Sequence, residues 1–446
     1  MKKKLLVSLL CLVCATTSSL GFIACDNDNK GNNASNNISN NVPNDTEDDA
    51  SDTVDGNSSD NSDTNQQTEE YVDGVKYVLS EDGTYYSLVN MDSYEGSEFV
   101  VPDTCNDLPV KAIAYGAFGE SKLTKVVISD NVTEIGEFAF AKCTHLTDVV
   151  MGNGVSSIGK AAFWNCNALT NVVIGNSVTH IGESAFKECE NLRIITLPDG
   201  VVSIGEKAFQ YCEYLEQIRI PDSVTYIGSW AFNFCDNLNY TVENECEYLG
   251  NETNPYLYLV EVDLFPDDIV TTTINPKCKI IGHQAFSYCE SLTHITIPSG
   301  VTQIGENAFY GCVNLMSIDI PNSVKNIEMG AFTNCSSLTE LVIPDSVINL
   351  GYWSFRNCIG LTSVVIGGSL TNLGIEVFKD CTSLKSVTIG ENVASIERRA
   401  FYNCSSLTTI FFDGTIEKWK SMEKDASWNT EVPATEVVCS DGAVTL

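Results

Sequence analysis

The chain has 446 residues and a formal charge of −34, from 59 acidic and 25 basic side chains. The charge is not confined to a tail: residues 26–70 hold 12 acids and one lysine, and residues 71–446 hold 47 acids and 21 bases. Both parts repel a polyanion, so no nucleic-acid partner is expected. Length alone allows several ordinary domains or one long repeat array.

Residues 1–24 read as an export signal. Lys2, Lys3 and Lys4 precede an apolar run from Leu5, and "FIAC" (22–25) ends it. Ala24-Cys25 resembles the lipobox of bacterial lipoproteins, in which the cysteine is lipidated and becomes the mature N-terminus. That resemblance implies a lipid at Cys25 and a membrane partner through it. The lipobox favours Leu three positions before the cysteine, where this chain has Phe22. Ordinary signal cleavage, giving a secreted protein, stays open, as does an uncleaved anchor, since about 20 apolar residues suffice to span a bilayer. "CLVC" (11–14) has redox spacing but lies inside this apolar segment.

Residues 25–70 are expected to form a disordered acidic tether. From 26 onward the stretch has no aromatic residue and is dominated by Asn, Asp, Ser and Thr, too little apolar surface to offset ordering entropy. "DNDNKG" (26–31) mimics the start of a calcium loop, but Lys30 stands at its fifth position and Asn37 at its twelfth, where Glu is needed.

Residues 71–122 read as an N-terminal hairpin cap followed by a first atypical repeat. "VKYVLSEDGTYYSLV" (75–89) places two strand-like runs around a Glu-Asp-Gly turn. Repeats then fill 123–235 and 277–410. Phe140, Phe163, Phe186, Phe209 and Phe232 are 23 residues apart, as are Phe286, Phe309, Phe332, Phe355, Phe378 and Phe401, and a cysteine follows each by three. Such strict self-similarity signals a solenoid, whose coils bury their apolar faces only against neighbouring coils. In "LTHITIPSGVTQIGENAFYGCVN" (292–314), Leu292, Ile295 and Ile297 alternate as in a strand with one buried face. Val301 and Ile304 point inward from a second short extended piece, and Ala308, Phe309 and Cys312 fill the far side from a short helical turn. The strands should align as one long parallel sheet, with the phenylalanines as a spine inside.

One repeat imitates a phosphate loop. "GVSSIGKAAF" (154–163) matches GxxxxGK, but Ala161 cannot supply the hydroxyl that holds magnesium, and Lys160 occupies a slot held elsewhere by Glu137, Glu183, Glu206 and Ser229. The glycine belongs to the repeat.

The array breaks at 236–276, an irregular repeat. Here "NPYLYLVEV" (254–262) and "DDIVTTTI" (267–274) suggest an inserted, projecting hairpin. Its Tyr248, Tyr256 and Tyr258 either touch a partner or pack on neighbouring coils, the second being commoner for aromatics. Residues 411–446 read as a C-terminal cap, with Thr415 capping a short helix, Trp419 and Trp428 covering the last coil, and a hairpin around Asp441-Gly442.

The chemistry is sparse. Stacked cysteines point in parallel and make neither disulfides nor a metal tetrahedron, so buried free thiols acting as apolar fillers are expected. His145, His180, His283 and His294 fall at variable slots, without HExxH or GxSxG. The chain is expected to be non-catalytic, to carry no cofactor or metal, and to be monomeric.

The consensus LTxVxIPxxVTxIGxxAFxxCxx resembles the BspA-like leucine-rich-repeat family of bacterial surface proteins over roughly residues 75–446, with LxxLxL surviving as Leu169-x-x-Val172-x-Ile174. The resemblance implies a right-handed, curved solenoid, exposed on the cell surface or the outer face of the membrane and used for binding or adhesion. The outward strand positions supply candidate contacts with an extracellular protein or glycan. One column includes Arg219, Asp319, Val342, Val365 and Phe411; the other includes Gln217, Tyr240, His294 and Glu340. The first column is unusually apolar for a solvent-facing sheet, although strand propensity alone also favours Val and Thr there. An architectural envelope protein without a ligand, and a capture protein serving a separate enzyme or transporter, are the alternatives.

Overall fold

Each 23-residue period closes one coil around its own apolar residues. In the coil 292–314, Leu292, Ile295, Ile297, Val301, Ile304, Ala308, Phe309 and Cys312 are all buried. The computed structural model describes residues 68–91, 93–262 and 270–446. Cys25, the signal and the tether as far as residue 67 lie outside them, whereas Glu69 and Glu70, expected in the tether, already belong to the strand Glu69–Val72 paired with Val75–Leu79. The result is the expected solenoid of parallel strands with hairpin caps.

Three walls surround the core. The first is made of strands of up to four residues paired in parallel at a register of one period, as in Leu341↔Val364 and Val387↔Ile410. This wall is not one continuous sheet but falls into separate sheets of four, two, two and six strands. The strands before Pro198, Pro221 and Pro298 are three residues long. The coil ending at Pro321 keeps a single bridge, His294↔Ser317. The second wall consists of two-residue strands, such as Ser157–Ile158 beside His180–Ile181.

The third wall is built from turns, not the short helical turns expected. Two residues per coil have positive φ, for example Phe138 (55°) and Lys142 (59°), then Ala161 (52°) and Asn165 (57°). Between them the backbone N–H groups reach the next coil. Phe140 N–H donates to Ala162 O at 2.7 Å and Phe163 N–H to Ala185 O at 2.8 Å. A helical turn spends its N–H groups within its own segment; here they join one coil to the next.

The phenylalanine rings stack, but in two columns. Phe118 through Phe232 follow one another at centroid distances of 4.5–5.6 Å, and Phe286 through Phe401 at 5.0–5.7 Å. The buried core divides at the same place. After Phe232 the next ring is Tyr258, tilted at 5.8 Å.

The irregular repeat makes this division, and it does not project. Its two strands do not pair with each other as a hairpin. Tyr258–Val262 pairs antiparallel with Cys246–Leu249 and parallel with Ile280–Ile281, while Thr271–Thr273 joins the first wall beside His294–Thr296. Leu257, Tyr258 and Ile280 then pack into the core of the first stack, although Ile280 stands in the slot that points outward in other coils. Gln303, in the same outward slot one coil later, is 1% exposed. Its Nε2 donates to Ile227 O at 3.0 Å and its Oε1 accepts from Ile227 N at 3.1 Å. The side of the second stack therefore closes the open end of the first, and the two stacks cannot be collinear. The extra chain ties them: Asn251 Nδ2 donates to Ile220 O at 2.9 Å, and Asn254 Nδ2 to Lys277 O at 3.1 Å.

Each remaining end is covered. Val75–Leu79 and Tyr86–Asn90 pair antiparallel, the second also pairing with Leu108–Ile113, and Phe99 lies 5.6 Å from Phe118. Tyr248, 1% exposed, belongs to the core of the second stack at its start. At the C-terminal end Thr415 caps the helix Ile416–Ser421, Trp428 meets Phe401 edge-on at 6.1 Å, and Glu436–Cys439 pairs with Gly442–Thr445.

Candidate binding face

The outward residues of the first wall stand in register. Val342 pairs with Val365, Val365 with Thr388, Thr388 with Phe411 and Phe411 with Val438. Val342 is 60% exposed, and Val365, Phe411 and Val438 are between 37% and 44% exposed. At ~4.8 Å per strand the row is about 19 Å long. The residues on either side of it in each strand, such as Leu341 and Ile343, are buried. Exposed Glu340 lies one column away. A second row, Val100, Val127, Val150 and Val173, crosses the start of the first stack, and Val100 is 64% exposed.

Val342, Val365 and Phe411 thus come together on one surface. Glu340 borders them on the same strand as Val342, and the other expected contacts do not join them. Arg219 is held within the chain, its guanidinium 2.7 Å from Asp199 and 3.5 Å from Glu252. Gln217, on the same strand, is exposed, as are His294 and Asp319. His294 Nδ1 sits 3.0 Å from its neighbour Thr293 Oγ1. Three tyrosines are corrections to a surface role. Tyr240 packs partly buried against the first core, and burial raises its hydroxyl pKa. Tyr258 is 4% exposed, and Tyr256 lies half-buried with its ring 5.5 Å from Tyr248. All three serve the junction, Tyr256 and Tyr258 in keeping with the packing alternative.

Val100 and Val438 escape a search for the 23-residue motif, because their strands lie in the caps. The signal was local: "EFV" (98–100) and "EVVC" (436–439) repeat the out-in-out alternation of the coils.

The remaining chemistry is structural. Lys160, in the phosphate-loop imitation, pairs with Glu183 at 2.9 Å. The described cysteines are buried thiols. They are more than fillers: Cys166 Sγ donates to Phe140 O at 3.1 Å and Cys358 Sγ to Phe332 O at 3.3 Å, a contact recurring along the column. Burial pushes the thiols of Cys278, Cys358 and Cys404 up to about 12, far from the thiolate needed for metal binding or nucleophilic attack. Among the described residues no group of three or more His, Cys, Asp or Glu is placed to hold a metal ion.

A family model described as the BspA type leucine rich repeat region (6 copies) matches residues 111–252, 266–381 and 302–423. A leucine rich cell surface protein of Faecalibacterium prausnitzii is similar at 27% identity, covering 81% of this chain and 99% of its own, with a TM-score of 0.37. A leucine-rich repeat protein of Bacteroides ovatus is similar at 26% identity, covering 80% and 98%, with a TM-score of 0.39. The pneumococcal vaccine antigen PcpA is similar at 20% identity, covering 83% and 99%, also at 0.39. No curated protein matches.

Proposed function

The chain belongs to the BspA-type leucine-rich-repeat family, and from that premise we propose that it is an exported, non-catalytic surface protein that binds an extracellular protein or glycan. The row Val342–Val365–Thr388–Phe411–Val438 is the contact surface. The observation that carries this reading is the row itself: four apolar side chains and the half-buried Thr388 in strand register, standing over a fully packed interior. Isolated exposed apolar residues need no explanation, but a contiguous set is a recurring property of interaction surfaces. Strand propensity accounts for the valines, yet Phe411 at 40% exposure is a large ring left in water, and aromatics are enriched at interface centres.

The chain is tethered to the membrane through lipid at Cys25. Labelled palmitate should enter the wild-type protein and not Cys25→Ala; equal labelling of both refutes the anchor. Binding is tested by titrating the chain over immobilised matrix proteins and polysaccharides. Saturable binding to one of them that weakens at least tenfold in Val365→Glu/Phe411→Glu, with the unfolding midpoint unchanged, supports the reading. Binding indifferent to those two substitutions moves the site elsewhere. Absence of binding across the panel favours an architectural role.

A further inference from the structure

The contact between the two stacks gathers half-buried acids. Glu306 of the second stack, its side chain 17% exposed, lies 3.9 Å from His283 Nδ1 and stands beside Ser229 of the first. Asn307 Nδ2 also donates to it, at 3.2 Å. Across the contact stand Glu206 and Lys207, which pair with each other at 3.0 Å. Glu328, one coil further on, stands beside Glu306 and faces Tyr226 of the first stack. It occupies the slot that Gly305 and most other coils give to glycine. His283 does not offset this charge: its ring packs 4.0 Å from Trp230, neither nitrogen has a hydrogen-bond partner, and burial pushes its pKa down to about 3.

We propose that this junction is a proton-controlled hinge. With Glu306 and Glu328 protonated, the side of the second stack stays seated on the end of the first; with both ionised beside Glu206, it lifts away. The bond between Gln303 and Ile227 is the latch that breaks.

Burial raises the pKa of both acids from the ordinary 4.5 to about 7, with each further affected by a neighbouring carboxylate. In the unseated state they are hydrated and titrate near the ordinary value, so the seated state binds protons more tightly. Its advantage is complete below about pH 4.5, is lost as the pH rises towards 7, and changes no further above that. Unseating also breaks the bond from Lys279 Nζ to Asp222 O at 2.8 Å and withdraws Ile280 from the first core, while the coils of the first stack stay joined by bonds between adjacent coils, as Gly205 N–H to Ile181 O at 2.8 Å.

Amide hydrogen exchange on the full chain reads the latch directly, since the Ile227 N–H is bonded across the junction to Gln303 Oε1. After correction for the intrinsic pH dependence of exchange, protection at Ile227 should fall at least tenfold from pH 5 to pH 8, while Gly205 holds. Glu306→Gln/Glu328→Gln should keep Ile227 protected at both values. Equal protection of Ile227 at the two pH values overturns the proposal, as does a parallel loss at Gly205 or an undiminished pH response in the double variant. If that variant does not fold, the wild-type series and Glu328→Gln alone decide the matter.

Discussion

Replacing Gln303 by leucine tests whether the junction is held by a side chain imitating a strand edge. Leucine fills nearly the same volume but makes neither bond to Ile227. It leaves one N–H and one C=O unpaired at a site where Gln303 is 1% exposed. Each orphaned backbone group costs about 1–3 kcal/mol. No longer burying an amide returns roughly 0.5–2 kcal/mol, so the net loss spans about 0–5.5 kcal/mol and centres near 3 kcal/mol. Urea titration followed by tryptophan fluorescence reports it, since Trp230 sits at the junction against His283. The unfolding midpoint should fall, and the first stack should melt from this end. Asn349→Leu is the control: it stands in the same slot two coils on, is exposed, and should shift stability by no more than about 0.5 kcal/mol. An unchanged midpoint in Gln303→Leu, or an equal loss in Asn349→Leu, refutes the reasoning.

Phe309 lies between Phe286 and Phe332 at 5.1 and 5.0 Å; its replacement by alanine should cost about 3–5 kcal/mol in the same titration, and a loss below about 1 kcal/mol would mean that the coils close over the gap. Alkylation of the native protein should leave the buried thiols unmodified, while denaturation without reductant should expose them all to iodoacetamide; mass spectrometry finding them blocked would reveal disulfides. Ser184 has a φ of 55°, so Ser184→Gly should be neutral or stabilising and Ser184→Val destabilising by about 1–2 kcal/mol. The opposite order would show that the turn wall relaxes to accept a branched side chain.

The coil interior was legible because a strict period fixes which slots face inward. Leu292, Ile295, Val301, Ile304 and Phe309 could be placed from spacing alone, and the Phe-to-Cys interval located the thiols. The thiol hydrogen bonds were hidden, because their acceptor is the backbone carbonyl of a phenylalanine 26 residues back. The turn wall is ambiguous in the sequence for a related reason: Ala308, Phe309 and Cys312 at intervals of one and three suit a helical turn and a pair of reversals equally. The left-handed residues there are mostly Lys, Asn, Ser or aromatic, not the glycine that would announce them. At 236–276 the period lapses, and with it the information it carries. One clue remained, since the outward slot of the short strands holds Glu134, Ser157, Ser203, Asn326 and Asn349 but also Ile280. An apolar residue in an otherwise polar slot marks a covered face.

The reach of the interactions has a bearing on how such a chain changes length. Within either arm, backbone and thiol bonds extend no further than the adjoining winding, whereas Gln303 and Ile227 meet across 76 residues. Whole units duplicated or lost between Phe140 and Phe209, or beyond Phe332, would lengthen or shorten an arm without disturbing the elbow. Changes between Phe232 and Gln303 would alter the elbow itself, so span and angle are separately adjustable in this architecture.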